Sequence, residues 1–124
     1  MRLRLRFLLP IFLIFLTLDA NSIYDQGKAL YKQKGCSGCH GTRLEGMHLY
    51  PYLANRAKGF LIYKLKRFRS RQADNQQQEM MIPFAMNLSD KEIDALTSYI
   101  NQYVDEKSTQ QYDDSFYQEG DGGS

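Results

Sequence analysis

The sequence predicts a helical fold, and three observations carry that expectation. Arg56–Arg71 and Ser89–Tyr103 repeat apolar residues at helical spacing. Ile23–Gly35 is built from good helix formers and closes on a glycine that can end a helix. No stretch is rich in strand formers. The 124 residues suggest one domain, and a domain of that size buries a limited core.

The chain opens MRLRLRFLLPIFLIFLTL. Three arginines precede a short apolar run, Phe7–Leu18, which is the pattern of a secretory leader. Ala20 and Ser22 supply small residues at the −3 and −1 positions, so the leader is expected to span 1–22 with cleavage after Ser22. Cleavage after Ala20 is the second choice, and retention as an uncleaved anchor the third. No apolar run reaches 18 residues, so no conventional transmembrane helix is expected. Export places the protein in the periplasm and makes nucleic acid an unsuitable partner. Asp105, Glu106, Asp113, Asp114, Glu119 and Asp121 face only Lys107 in the last twenty residues. The domain is thus a basic body, 23–104, followed by an acidic tail, 105–124, that reads as disordered.

In the first helix Gly27 and Tyr31 stand four apart and share a face. Gly27 is either a tolerated mid-helix glycine or a notch for another helix. Directly afterwards comes Cys36-Ser37-Gly38-Cys39-His40, the C-x-x-C-H pattern of covalent c-type haem attachment. Two thiols three apart lie about one helical turn from each other and face the same way. They can add to two vinyl groups on one porphyrin edge, and His40 can then bind the iron. Cys36 and Cys39 are the only cysteines. A thioredoxin-like pair would need a βαβ setting. A zinc site would need four ligands, from Cys36, Cys39, His40 and His48, with His40 badly placed to share the tetrahedron. The aromatic content, nine Tyr and seven Phe without Trp, suits a small core packed around a flat ring.

Gly41–Asn55 has no sustained period and reads as a loop around the haem. A haem-ligating histidine usually donates its other ring N–H to a carbonyl. Pro51 can supply that carbonyl, or be an ordinary loop proline. In Arg56–Arg71, with Asn55 as candidate N-cap, Leu61, Leu65 and Phe68 form the apolar stripe. Lys64, Lys66, Arg67, Arg69 and Arg71 occupy the other face, either as a solvated surface or as a docking stripe for an acidic redox partner. Gln72–Glu79 is polar and loop-like. Met80–Leu88 follows, with three methionines in seven residues, serving either as core filler or as a source of an axial ligand. Ser89 and Glu92 make a capping box for the last helix, where Ile93, Leu96, Ile100 and Tyr103 keep the stripe.

Together these pieces resemble a small bacterial class I cytochrome c of the periplasmic monohaem type, and single domains of the dihaem cytochromes. The resemblance runs over 24–104. It rests on Gly27…Tyr31, the CSGCHG site, the Pro51-Tyr52-Leu53-Ala54 loop, and MIPFAMNLSDKEIDALTSYI. It implies an all-α fold in which the first and last helices cross, with Gly27 and Tyr31 against Leu96 and Tyr99. It also implies one covalent haem c with His/Met axial ligation. The candidates opposite His40 are Met47, His48, Met80, Met81 and Met86. In the family the ligand stands eight residues before the capping serine, which indicates Met81, with Met80 next. Pro83 would then disfavour helix at Ile82. The implied function is electron carriage between respiratory redox proteins, with no small-molecule substrate and no enzymatic activity. Membrane contact would come only through partners or an uncleaved leader. The alternatives are a haem sensor or gas-binding module, and a small subunit of a respiratory complex.

Overall fold

The computed structural model describes residues 21–106. Most of the expected leader and residues 107–124 of the acidic tail lie outside the described residues. Among those described, six helices follow in order: α1 (Ile23–Gln33), α2 (Ser37–His40), α3 (Lys58–Arg69), α4 (Gln76–Glu79), α5 (Ile82–Ala85) and α6 (Asp90–Asn101). There is no sheet among them, only an isolated bridge between Met47 and Tyr50. The fold is all-α, as the sequence predicts.

The first and last helices organise the rest. Ser22 caps α1, its Oγ accepting from the Asp25 N–H at 3.1 Å. Ser89 caps α6 in a full capping box with Glu92. The two helices cross where Gly27 meets α6. A Cβ added at Gly27 would sit on the Ala95 carbonyl oxygen and 2.6 Å from Tyr99 Cβ, so the notch is occupied by backbone. Around the crossing the Tyr99 ring packs against Tyr24, Tyr31 and Tyr103, with centroids 5.1, 5.6 and 5.8 Å away. α6 buries Ile93, Leu96, Tyr99 and Ile100, and also Ala95, Thr97 and Ser98. The two hydroxyls can be buried because they donate back one turn, Thr97 to Ile93 O and Ser98 to Asp94 O, both at 2.8 Å. α3 adds Leu61 and Phe68 to the same core.

Three local expectations are corrected. Asn55 does not cap α3, whose N-cap is Ala57 with no side-chain bond. Asn55 sits in the left-handed region at φ +59 and turns the other way, donating from Nδ2 to Asn101 O and Tyr103 O at 3.2 and 2.8 Å. Its amide here serves the open carbonyls at the end of α6. Gln72–Glu79 is not all loop, since Asn75 caps the single turn α4 by accepting from the Gln78 N–H at 2.9 Å. Pro83 does not keep Ile82 out of a helix. Ile82 opens α5 with Pro83 in its first turn, where the missing N–H costs nothing because no intrahelical partner exists there.

The acidic tail begins with contacts to the body. Asp105 pairs with Arg43, and Glu106 reaches Lys28 at 3.0 Å.

Candidate haem site

The site starts with the way α1 ends. Gly35 adopts φ +76, its N–H donates to Lys32 O, and the Cys36 N–H donates to Tyr31 O at 3.1 Å. This pair of bonds is a Schellman closure, and it delivers Cys36 at a set angle to the first helix. α2 then turns once, with the His40 N–H donating to Cys36 O at 3.0 Å. Cys36 and Cys39 are both half-buried and are not joined to each other in a disulfide. Until the haem bond forms, burial pushes the Cys36 thiol up to about 11.

His40 is buried, and its Nδ1 lies 2.9 Å from the Pro51 carbonyl oxygen. A carbonyl only accepts, so Nδ1 carries the proton and Nε2 keeps its lone pair. The loop that brings Pro51 back is tied to the same residue. Gly46 N–H donates to His40 O at 2.8 Å, and a Cβ at Gly46 would stand 2.9 Å from the Pro51 carbonyl carbon. Gly41 makes the exit from α2 at φ +85 and ψ 156, a region essentially reserved for glycine. Its carbonyl receives the buried Tyr31 hydroxyl at 2.8 Å.

Cys36, Cys39, His40 and Pro51 line one cavity of about 420 Å³. Tyr31, Leu61, Leu65, Phe68, Leu96 and Ile100 supply much of its apolar wall. Of the five sulfur or imidazole candidates for the second axial position, Met80 and Met81 line this cavity and Met47, His48 and Met86 do not. Met81 is half-buried and packed against the core, whereas Met80 is 51% exposed. His48 is exposed and left-handed at φ +51. Among the described residues no three His, Cys, Asp or Glu side chains converge as a metal-ion group, so the four converging ligands that a zinc site needs are not assembled. A second, more open groove is lined by Arg67, Arg71, Glu79 and Pro83, among others, and holds no cysteine or histidine. Two thiols, an oriented imidazole and a thioether on one mainly apolar cavity are the donor set and the volume that a covalent haem requires.

A family model described as cytochrome c matches residues 24–103. The chain belongs to the cytochrome c family. It is 37% identical over 82 residues to a thiosulfate dehydrogenase electron acceptor of Stutzerimonas stutzeri (strain A1501), a match covering 64% of this chain and 37% of that protein. It is 32% identical over 65 residues to cytochrome c-554(548) of Halomonas halodenitrificans, a match covering 52% of this chain and 78% of that one. Membership of this family implies a covalently bound c-type haem, and the chain spans little more than a third of the length of the first relative.

The basic face of α3 is less free than the sequence suggests. Lys64 and Arg67 both bond Asp74, at 3.0 and 2.5 Å, and Arg69 pairs with Asp90 at 2.8 Å. Those lysine and arginine partners hold the Asp74 and Asp90 carboxyls below the usual carboxylate range. Lys66 on this face and Arg71, just beyond the end of α3, remain exposed. Sequence reasoning also missed that Arg56, Lys64, Asn75, Gln77 and Gln78 line the cavity. Only the Asx-cap pattern at Asn75, three residues before Gln78, could have drawn attention to that stretch.

Proposed function

We propose that this cytochrome c is an exported one-electron carrier whose haem is bonded through Cys36 and Cys39 and ligated by His40 and Met81. The carrying observation is the cavity that brings together the two thiols, the imidazole oriented by Pro51, and the Met80–Met81 pair. The haem supplies an iron that takes up and returns one electron. The chain holds the His40 lone pair steady through the Nδ1–H to Pro51 bond and excludes water with apolar side chains. Arg56, which lines the cavity, would offer a cation to the haem carboxylates. A Met/His pair and an apolar surrounding both raise the potential.

Acid–acetone is expected to leave the haem on the polypeptide, with one haem added to the intact mass; free haem from the wild-type protein would refute the thioether assignment. Met81→Ala is expected to abolish the sulfur-to-iron charge-transfer band of the ferric protein, lower the potential and admit carbon monoxide to the ferrous form. If Met80→Ala does this and Met81→Ala does not, the ligand is Met80. A gas-binding sensor would take up carbon monoxide readily in the unmutated protein.

Periplasmic placement rests on the 1–22 leader. Cleavage after Ser22 would remove the Ser22 cap on α1, and cleavage after Ala20 would keep it. The intact mass of the exported protein distinguishes the two. The first relative's name supports redox proteins as partners. For an acidic docking surface the exposed cations are Lys66 and Arg71. Electron-transfer rates should then fall between 0.01 and 0.1 M salt, as the Debye length shrinks from about 30 to about 10 Å. A salt-independent rate would return this face to ordinary solvation.

A further inference from the structure

Asp74, Asn75, Gln77 and Gln78 come from a stretch that reads as a polar spacer, yet each is engaged. Asp74 takes Lys64 and Arg67 from α3. Gln78 Oε1 accepts from Lys64 Nζ at 2.8 Å and from the Asp74 N–H at 3.3 Å. Gln77 Nε2 donates to Leu49 O on the loop that carries Pro51. The Gln78 main-chain carbonyl, in turn, accepts the Met81 N–H at 3.0 Å. One residue therefore bonds α3 through its side chain and Met81 through its backbone.

Lys64 is well placed to anchor this. Its ammonium lies 5.2 Å from the Phe68 ring centroid, and its side chain is 18% exposed. Phe68 itself is buried in the core, so the ammonium is fixed to the rigid part of the molecule. Asp74 is 54% exposed, so changing it removes the bonds without opening the core.

We propose that Asp74 and Gln78, held by Lys64, form a clasp that positions Met81 in the haem cavity and keeps its sulfur at the iron. The clasp rests on the reading of Met81 as axial ligand. It acts through position and touches neither iron nor electron partner. Without it the Ala73–Met81 segment would lose its side-chain bonds to α3, and the thioether would leave the iron more often.

The experiment compares two melting curves on the holoprotein: bleaching of the ferric charge-transfer band, and loss of helix by circular dichroism. Asp74→Asn and Gln78→Leu should bleach the band at a clearly lower temperature while the helix midpoint moves less. Carbon monoxide uptake by the ferrous form should rise roughly two- to fivefold, the range expected for loss of partly exposed ion pairs. Asp74→Glu should restore part of both. A merely structural role would shift the two curves together and leave carbon monoxide uptake unchanged, and that result in both variants would overturn the clasp. Met81→Ala is the control. If it retains the band, the ligand reading fails and the clasp with it. If it loses the band while Asp74→Asn and Gln78→Leu behave as wild type, the clasp alone fails.

Discussion

Tyr31 does two things from one position. Its ring lines the haem cavity and packs on Tyr99, and its hydroxyl donates to the carbonyl of Gly41, the residue after His40. The side chain is 1% exposed, so no water can replace that bond. Tyr31→Phe should therefore cost about 1–3 kcal/mol, the penalty for stranding a buried acceptor, read as a lower urea midpoint at unchanged slope. The Cys-x-x-Cys-His run is contiguous and could be read directly from the sequence. The partner of His40 is eleven residues away, and only the habit of ligating histidines to seek a carbonyl points to it.

At the scale of elements the helices with caps and periodic apolar residues were legible. Ser89 and Glu92 announce α6, and Gly35 announces the end of α1. Asn55, Asp74 and Gln78 were not legible, because a polar side chain bonded across 10 or more residues leaves no periodic trace. Gly27→Ala is expected to destabilise despite the roughly 1 kcal/mol that alanine gains in helix propensity. Its methyl group would meet the Ala95 carbonyl and Tyr99, and such overpacking costs about 1–3 kcal/mol or more; thermal melting should show the loss. Arg71 offers the opposite case. α3 ends in a Schellman closure, with Gln72 N–H to Arg67 O and Arg71 N–H to Phe68 O, both 2.9 Å. The left-handed position, at φ +60, holds an arginine. Arg71→Gly should raise stability by about 1 kcal/mol by relieving that conformation; a lowered melting temperature would show that the arginine side chain contributes more than its backbone costs.

For the whole molecule the tyrosine cluster at the helix crossing sets an alkaline limit. Burial pushes the Tyr99 phenol up to about 12, and raises Tyr31 further. The folded state thus holds these protons more tightly than the unfolded chain, whose phenols titrate near 10. The contribution is fully present below about pH 10 and is lost as pH rises through the folded values. Denaturant midpoints measured from pH 9 to 12 should fall over that window, and Tyr99→Phe should flatten the decline.

α6 closes at Gln102. No glycine follows it. Its open carbonyls are met by Asn55, whose amide and side chain reach Ile100, Asn101 and Tyr103, while Asn101 Nδ2 donates back to Arg56 O at 2.9 Å. The final turn of the helix is thus completed by a residue that arrives only after the haem loop has found its path. In a hydrogen-exchange experiment that turn and the 41–55 loop should open as one cooperative unit, separate from the slow-exchanging contact of α1 with the middle of α6. The C-terminal helix would then report on haem-loop order in its last turn and on the helix crossing in its middle.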